Sequence, residues 1–378
     1  MRIAQVAPLV ESVPPEMYGG TERVVFHLTE ELVTRGHEVT LFASGDSLTS
    51  AKLVPVHERA LRLDPSVKDY LPYHMLELGM VYDRAGDFDL IHAHLDFITF
   101  PFTRLVSTPT VHTLHGRLDI PDIWKIYNHH RDCNFVSISN AQRKFLPNLN
   151  WMGTVYHGYP VEKFPFNAEP EDYLVFVGRF SPEKGPAEAI QIAQKVQMKL
   201  IIVAKIDPFE RAYYEEVVKP LIAPPFIEYV GEKGEEERNE IVKKAKAFIF
   251  PLDWPEPFGL AVIESLACGT PVITRNRGSM PEIMIHGKTG FICETWEEMA
   301  DAVQDIKYID RRACRRHVEE NFSISRMVSG YEEIYERLVK GKSQPKKFYF
   351  PTMSDREALK ITTTPVNPVP NTSPSRKE

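Results

Sequence analysis

PEPFGLAVIESLACGTPVI, residues 255–273, carries two glutamates with seven residues between them. Glu256 comes just before an apolar run that begins near Gly259, and Glu264 lies inside that run. The run predicts a short buried helix that ends at Gly269, and PVIT after it is typical of a buried strand. One interpretation is an ordinary helix with solvated acids. The other is a single ligand that both carboxylates contact.

Alternation of strands and helices continues on both sides of this stretch. The helices GGTERVVFHLTEELVTRG, GPAEAIQIAQKVQ and EEERNEIVKKAK separate short apolar runs that predict strands. Strands alternating with helices favour parallel βαβ units, and hence an α/β fold. The predicted strands are RIAQVAP, HEVTLFAS, FDLIHAH, TPTVHTLH, CNFVSIS, YLVFVGRF, LIIVA, FIEYVG, AFIFPL and TPVIT.

The segment TVYHGYPVEKFPFNAEPEDY, residues 154–173, interrupts this alternation and is rich in Pro, Gly and acids. We interpret it as the connection between two Rossmann-like domains, residues 1–160 and 171–321, with a further amphipathic helix at 322–340. Residues 341–378 are rich in proline and weakly periodic, so we expect a mostly disordered tail. A ligand of such a pair of domains is expected in the crevice at the carboxyl ends of the strands.

Composition limits the classes of function. A formal charge of -7 over 378 residues does not favour a nucleic-acid partner. The sequence shows no apolar run long enough to span a bilayer and no signal peptide, and its four cysteines have no paired spacing. We therefore expect a cytoplasmic protein with reduced thiols.

Two motifs favour a phosphate-bearing ligand. GG at Gly19 and Gly20 opens a helix directly after the first strand, and a helix N-terminus offers free N–H groups to a phosphate. A tight turn is the alternative interpretation of these glycines, and they do not form a GxGxxG fingerprint. Arg179 and Lys184, in VGRFSPEKG, follow a strand and precede a helix, where two cations favour an anionic ligand over two solvated side chains.

A nucleotide-sugar would explain both glutamates of the opening stretch. A diphosphate would lie at the helix start, near Phe258, Gly259 and Leu260, and Glu264 lies roughly 7–8 Å further along the helix axis. Glu256 would then accept hydrogen bonds from sugar hydroxyls while Glu264 accepts them from the ribose.

Metal chemistry is the weaker reading of the remaining polar motifs. His92 and His94 in LIHAHLD, with His112 and His115 in TVHTLHG, have spacings that a metal site would allow, but no acidic or cysteine ligand pattern joins them. We expect them to lie at strand ends near the crevice. DFD, residues 87–89, stands at the start of a strand, the end away from the expected site, and is interpreted as turn chemistry.

With these motifs in order, residues 1–340 resemble the retaining nucleotide-sugar glycosyltransferases of family 4, which have the GT-B fold. EPFGLAVIE is similar to the family's E-x7-E motif, and GGTERVV, TLHG, GRFSPEKG and GKTGF follow the family's order. The resemblance implies two Rossmann-like domains facing a central crevice, with the last helix crossing back to the first domain. Relatives commonly have Asn-Gly where this chain has His157-Gly158.

The resemblance also implies roles for individual residues. Arg179 and Lys184 would hold the donor diphosphate, Glu256 the sugar and Glu264 the ribose, and His115 would lie beside the reacting sugar carbon. The other donor-binding positions are Gly19 and Gly20 at the phosphates, Gly231, Glu232 and Lys233 at the base, and Phe258, Gly259 and Leu260 at the helix start. The family's reaction is described as front-side, with the leaving diphosphate taking the acceptor's proton, so neither a dedicated base nor a metal cofactor is expected.

The predicted function is therefore transfer of a hexosyl group from UDP-glucose or GDP-mannose to a saccharide, lipid-linked or small-molecule acceptor. A lipid-linked acceptor would add peripheral contact with a membrane. Two alternatives remain from the sequence. One is a nucleotide-sugar 2-epimerase of similar fold, and the other is a non-catalytic nucleotide-sugar binding protein. No motif in the sequence identifies the nucleotide base of the donor, the acceptor or the oligomeric state.

Overall fold

The computed structural model describes residues 1–17 and 19–341. Apart from Gly341, the predicted tail lies outside the described residues. Two parallel sheets organise the described chain, with strand orders β3-β2-β1-β4-β5-β6-β7 and β10-β9-β8-β11-β12-β13. Both sheets belong to one compact unit. The α/β fold with two Rossmann-like halves is thus confirmed, whereas the domain boundaries stay a prediction.

The strands of the first sheet are short and parallel throughout. Their bounds are β1 Arg2–Val6, β2 Glu38–Ala43, β3 Lys52–Pro55, β4 Leu90–Ala93, β5 Thr110–Leu114, β6 Asn134–Ser137 and β7 Trp151–Thr154. The helices of this half are α1 Gly20–Thr34, α2 Leu71–Asp83, α3 Phe100–Thr103, α4 Pro121–His129 and α5 Asn140–Arg143.

The second half repeats the arrangement with six parallel strands. Their bounds are β8 Tyr173–Arg179, β9 Lys199–Lys205, β10 Ile227–Tyr229, β11 Ala247–Phe250, β12 Val272–Arg275 and β13 Gly290–Cys293. The helices are α6 Pro186–Val196, α7 Arg211–Tyr213, α8 Glu235–Lys244, α9 Leu260–Ala267, α10 Met280–Ile283, α11 Trp296–Asp305, α12 Arg311–Asn321 and α13 Ile324–Lys340.

Helix α13 returns to the first half, as the fold class predicts. The Ser323 hydroxyl caps it by accepting a hydrogen bond from the Arg326 backbone N–H. Its buried face packs with Val24 and Leu28 of α1 in one hydrophobic cluster. A helix that follows the second half thus completes the core of the first.

The segment that connects the two sheets packs against both halves of the chain. Tyr159 is fully buried in the hydrophobic cluster of the second half, and Val155 is buried in the cluster that α13 shares with the first sheet. The connection is therefore held against both halves. No helix in the part of the chain that the structure describes is both long enough and apolar enough to cross a bilayer.

Candidate functional site

A cavity of about 550 Å³ lies at the carboxyl ends of the strands and is lined by residues from both halves of the chain. All predicted site residues except Gly231 line it. They are Gly19, Gly20, His115, Arg179, Lys184, Glu232, Lys233, Glu256, Phe258, Gly259, Leu260 and Glu264. Gly231 lies just outside, where it turns the chain with φ +83°. The structure thus brings the predicted residues together, while their roles stay predictions.

Two helix N-termini from opposite halves meet at this cavity. A β-carbon at Gly20, the first residue of α1, would come within 2.8 Å of the Leu260 side chain, the first residue of α9. Gly259 has φ +92° and would place a β-carbon 2.7 Å from Met280, so a glycine is needed there. Free N–H groups of both helices are available to an anion at this point.

The two predicted cations lie at and just after the carboxyl end of β8, on one wall of the cavity. Lys184 Nζ donates to Glu256 at 2.5 Å and lies over the Trp254 ring, 4.7 Å from its centroid. Arg179 pairs with Glu183 at 3.1 Å, and its Nε is buried without a partner. A buried guanidinium N–H without an acceptor is costly, and an anionic ligand would supply the acceptor.

Glu264 is held by two residues that the sequence did not reveal. Nη2 of Arg238 lies 2.9 Å from the Glu264 carboxylate. The two groups form an ion pair, but their geometry is not that of a hydrogen bond. The Tyr159 hydroxyl donates to the other carboxylate oxygen at 3.2 Å. Both partners also line the cavity, so Glu264 is a fixed carboxylate at the cavity wall and the solvated interpretation is wrong for it.

His115 lines the cavity and packs against other histidines. Its ring stacks on that of His157, with the centroids 5.2 Å apart, and its Nε2 lies 2.8 Å from His94 Nδ1. Burial lowers the pKa of the His115 imidazole to about 3, so the ring is neutral at pH 7. It therefore interacts with a ligand as a neutral hydrogen-bonding group.

The other predicted histidines do not line the cavity. His92 and His94 are buried behind His115, and His112 packs between Phe100 and Phe135. Among residues 1–17 and 19–341 no group of three or more His, Cys, Asp and Glu side chains is arranged to hold a metal ion. Asp89 of the DFD motif pairs with Arg2 at 2.9 Å, at the amino end of β4.

The first half also contributes a charged group that the sequence analysis missed. Glu11 and Arg62 form an ion pair at the cavity, and Tyr70 lies at its rim. Glu22, in the first turn of α1, is buried there and makes no hydrogen bond to any other side chain that the structure describes. Burial raises the pKa of the Glu22 carboxyl to about 7. The only sequence signal was its position in GGTERVV.

We expect Glu22→Gln to stabilise the protein at pH 8 but not at pH 5. The folded state raises the pKa of Glu22 from its unfolded value, so folding binds a proton and stability falls as pH rises between about 4.5 and 7. Gln removes this loss, which amounts to about 3 kcal/mol at 1.36 kcal/mol per pKa unit. Urea unfolding of both proteins at pH 5 and pH 8 checks this. Equal stability differences at the two pH values would contradict it.

Direct contacts across the cleft hold the two walls of the cavity together. Arg23 of α1 pairs with Glu235 of α8, and the Arg117 guanidinium lies 5.0 Å from the Trp254 ring centroid. The Glu282 carboxylate also accepts hydrogen bonds from two backbone N–H groups of α5, that of Asn140 at 2.7 Å and that of Ala141. These contacts join the two halves of the chain across the cleft.

Two protein-family models match this chain, one in each half. The model of glycosyltransferase family 4 matches residues 18–152, and that of glycosyl transferases group 1 matches residues 161–321. The chain is 22% identical to glycogen synthase of Mycobacterium tuberculosis, over 88% of this chain and 94% of that protein. It is 24% identical to N-acetyl-alpha-D-glucosaminyl L-malate synthase of Bacillus anthracis, over 84% of this chain and 93% of that protein.

Solved structures show the same fold at low identity. Sucrose-phosphate synthase from Thermosynechococcus elongatus aligns with a TM-score of 0.75 at 19% identity, over 90% of this chain and 99% of that chain. HepE from Anabaena, solved in complex with UDP-glucose, aligns with a TM-score of 0.69 at 18% identity, over 89% and 100%. The two family models, in order along two Rossmann-like halves, show that the chain belongs to the family 4 type of glycosyltransferases with the GT-B fold.

Proposed function

We propose that the chain transfers a hexosyl group from a nucleoside-diphosphate sugar to a hydroxyl acceptor with retention of configuration. One observation carries the proposal: two helix N-termini, Arg179 and Lys184 meet at one cavity, and Glu256 and Glu264 line the same cavity. Positive groups at the centre match a diphosphate, and carboxylates match hydroxyl-bearing rings on either side of it. UDP-glucose and GDP-mannose are the leading donors, and the HepE structure in complex with UDP-glucose is consistent with the first.

The chemistry of this proposal is displacement at the anomeric carbon from the face of the leaving group. The acceptor oxygen forms the new bond to that carbon, the bond to the β-phosphate oxygen breaks, and the acceptor's proton passes to the leaving diphosphate. Negative charge grows on the diphosphate during this step. Arg179, Lys184 and the N–H groups of α1 and α9 are fixed where they would stabilise that charge.

The roles proposed for Lys184 and Glu256 are coupled, because the two side chains form an ion pair. Their ion pair of 2.5 Å neutralises both groups. A bound donor would bring a phosphate to Lys184 and a sugar hydroxyl to Glu256, so the pair would rearrange or be shared. Stacking on Trp254 and Phe250 keeps the Lys184 ammonium at this wall in either case.

The acceptor would enter on the side of the cavity that the first half of the chain lines. Glu11, Glu22, Arg62 and Tyr70 offer hydrogen-bond acceptors, one paired cation and an aromatic ring there. Hydroxyl-rich groups suit this set, whether they belong to a saccharide, a small molecule or the head of a lipid-linked acceptor. Contact with a membrane would accompany only the last of these.

A thermal-shift screen of the full chain against UDP-, GDP- and ADP-sugars tests donor binding. A ligand at 100 times its Kd stabilises a folded protein by about 2.7 kcal/mol, a shift that is readily measured. We expect one nucleotide series to raise the melting temperature and Glu264→Gln to reduce the shift. No shift with any nucleoside diphosphate would contradict the proposed donor class.

We expect donor turnover to proceed without an added divalent metal. The motivation is the set of protein groups that can balance the diphosphate charge, Arg179, Lys184 and two helix N-termini. Turnover by full-length protein should be equal in buffer with and without EDTA. Activity that EDTA abolishes and magnesium or manganese restores would show that a metal supplies the missing charge.

A further inference from the structure

A continuous chain of buried hydrogen bonds connects His115 with the crossing helix α13. His115 Nε2 lies 2.8 Å from His94 Nδ1, and His94 Nε2 lies 2.9 Å from Gln5 Oε1. The Gln5 amide nitrogen donates to the Tyr335 hydroxyl at 3.4 Å. Gln5 belongs to β1, His94 and His115 directly follow β4 and β5, and Tyr335 belongs to α13. Four elements thus meet through side-chain atoms behind the cavity.

The far end of this chain fixes the orientation of the Gln5 amide. The Thr113 hydroxyl donates its proton to the Tyr331 hydroxyl at 3.0 Å. Because that proton is used, His92 Nε2, which lies 2.7 Å from the Thr113 oxygen, must donate to Thr113. His92 Nδ1 then has a lone pair and accepts the Tyr335 hydroxyl proton at 2.6 Å. The Tyr335 oxygen in turn accepts from the Gln5 NH₂ group, which leaves the Gln5 oxygen facing His94.

The near end of the chain fixes the proton positions on the two histidines. Burial holds the pKa of both His94 and His115 well below the usual value, so each ring carries one N–H. An amide oxygen only accepts, so the His94 proton is on Nε2 and its Nδ1 accepts. The proton between the two rings therefore belongs to His115 Nε2. Nδ1 of His115 has a lone pair and is the ring nitrogen left for a ligand.

We propose that Gln5 and Tyr335 are positioning residues that hold His115 in the Nε2–H tautomer, so that it offers Nδ1 as a hydrogen-bond acceptor to a hydroxyl of the bound substrate. The ligand part of this inference rests on the proposed function, because that function puts a sugar at His115. The tautomer part rests only on the hydrogen-bond chain. Docking of α13, through Tyr335, becomes a condition for the proton arrangement at the site.

The direct test is the tautomer of His115 in the full-length protein. Two-bond ¹H–¹⁵N correlation NMR of histidine-labelled protein at pH 7 distinguishes Nδ1–H, Nε2–H and doubly protonated rings, and a His115→Gln sample assigns the signal. We expect the Nε2–H pattern for His115 and for His94. An Nδ1–H or doubly protonated pattern for His115 would overturn the proposal, whatever the enzyme's activity.

Variants separate positioning from packing. Gln5→Met keeps the volume but removes both hydrogen bonds, so the His115 signals should shift toward a mixture of tautomers and kcat/KM for the donor should fall about threefold to tenfold. Ile334→Ala is the matched control, because Ile334 is buried on the same helix outside the chain of hydrogen bonds. It should leave the His115 signals unchanged.

The outcomes distinguish this inference from the proposed function. The Nε2–H pattern without donor turnover would contradict the proposed function and leave the positioning of His115 intact. Donor turnover with unchanged His115 signals in Gln5→Met would overturn the positioning role. Equal changes in Gln5→Met and Ile334→Ala would also overturn it, because they would reflect loss of packing alone.

Discussion

Lys184→Met should lower kcat for donor turnover about 10²–10³-fold, the usual effect of removing one preorganised group from a site of developing negative charge. The Lys184 ammonium is fixed between the Trp254 and Phe250 rings and the Glu256 carboxylate. Methionine keeps the packing of the side chain but removes the charge. Donor KM should change much less than kcat, because the charge on the diphosphate is larger in the transition state.

Lys195→Met is the matched control for this substitution. The Lys195 ammonium lies 5.2 Å from the Trp296 ring centroid, so it makes the same kind of contact in the same half of the chain. Lys195 does not line the cavity, and its loss should leave kcat unchanged. Steady-state kinetics of both variants, with circular dichroism to confirm folding, give the comparison. Equal kcat in the wild type and Lys184→Met would contradict a role in charge stabilisation.

Glu256→Gln and Glu264→Gln should affect different kinetic constants. Glu256 is assigned to the sugar, which changes charge and shape in the reaction, so its loss should lower kcat. Glu264 is assigned to the ribose, which does not change, so its loss should raise the donor KM. A hydrogen bond to a charged group contributes about 1.5–3 kcal/mol, which corresponds to roughly tenfold to a hundredfold in each constant.

Binding of the nucleoside diphosphate alone separates the two glutamates further. Calorimetry should show weaker binding to Glu264→Gln and nearly unchanged binding to Glu256→Gln, since the free diphosphate has a ribose but no sugar. Glu264 also holds Arg238 and Tyr159, so thermal unfolding must be compared as a control for packing. The reverse ranking of affinities would mean that the ligand is oriented the other way along α9.

Strands in the centre of each sheet were predictable because both of their faces are buried. β4, β8, β9 and β11 have nearly continuous apolar runs and were all identified. The edge strands β3, β7 and β13 were missed. Each is four residues long and has partly exposed positions, so neither an apolar run nor an alternation distinguishes it from a loop.

The positions of the site residues were more predictable than their partners. Arg179 ends a strand, and Lys184 and Glu256 follow strands at their carboxyl ends. Parallel strands bring those ends together, so the convergence of the three residues followed from the pattern. Pairings such as Arg238 with Glu264 join separate elements, and no local pattern reports them. Glu22 was missed for another reason: it is buried near Glu11 and Arg62, which come from separate segments of the first half, and no local pattern reports that.

The most direct test of the central claim, that this cavity turns over a nucleoside-diphosphate sugar with retention, is proton NMR of the full-length protein with UDP-glucose and GDP-mannose. Slow donor hydrolysis without an acceptor reports the stereochemistry of the first product before it equilibrates. The account predicts loss of one donor, release of its nucleoside diphosphate and initial appearance of the sugar anomer that the donor carried. Initial appearance of the opposite anomer, an isomerised donor, or no turnover of any nucleotide-sugar that the protein binds would contradict it.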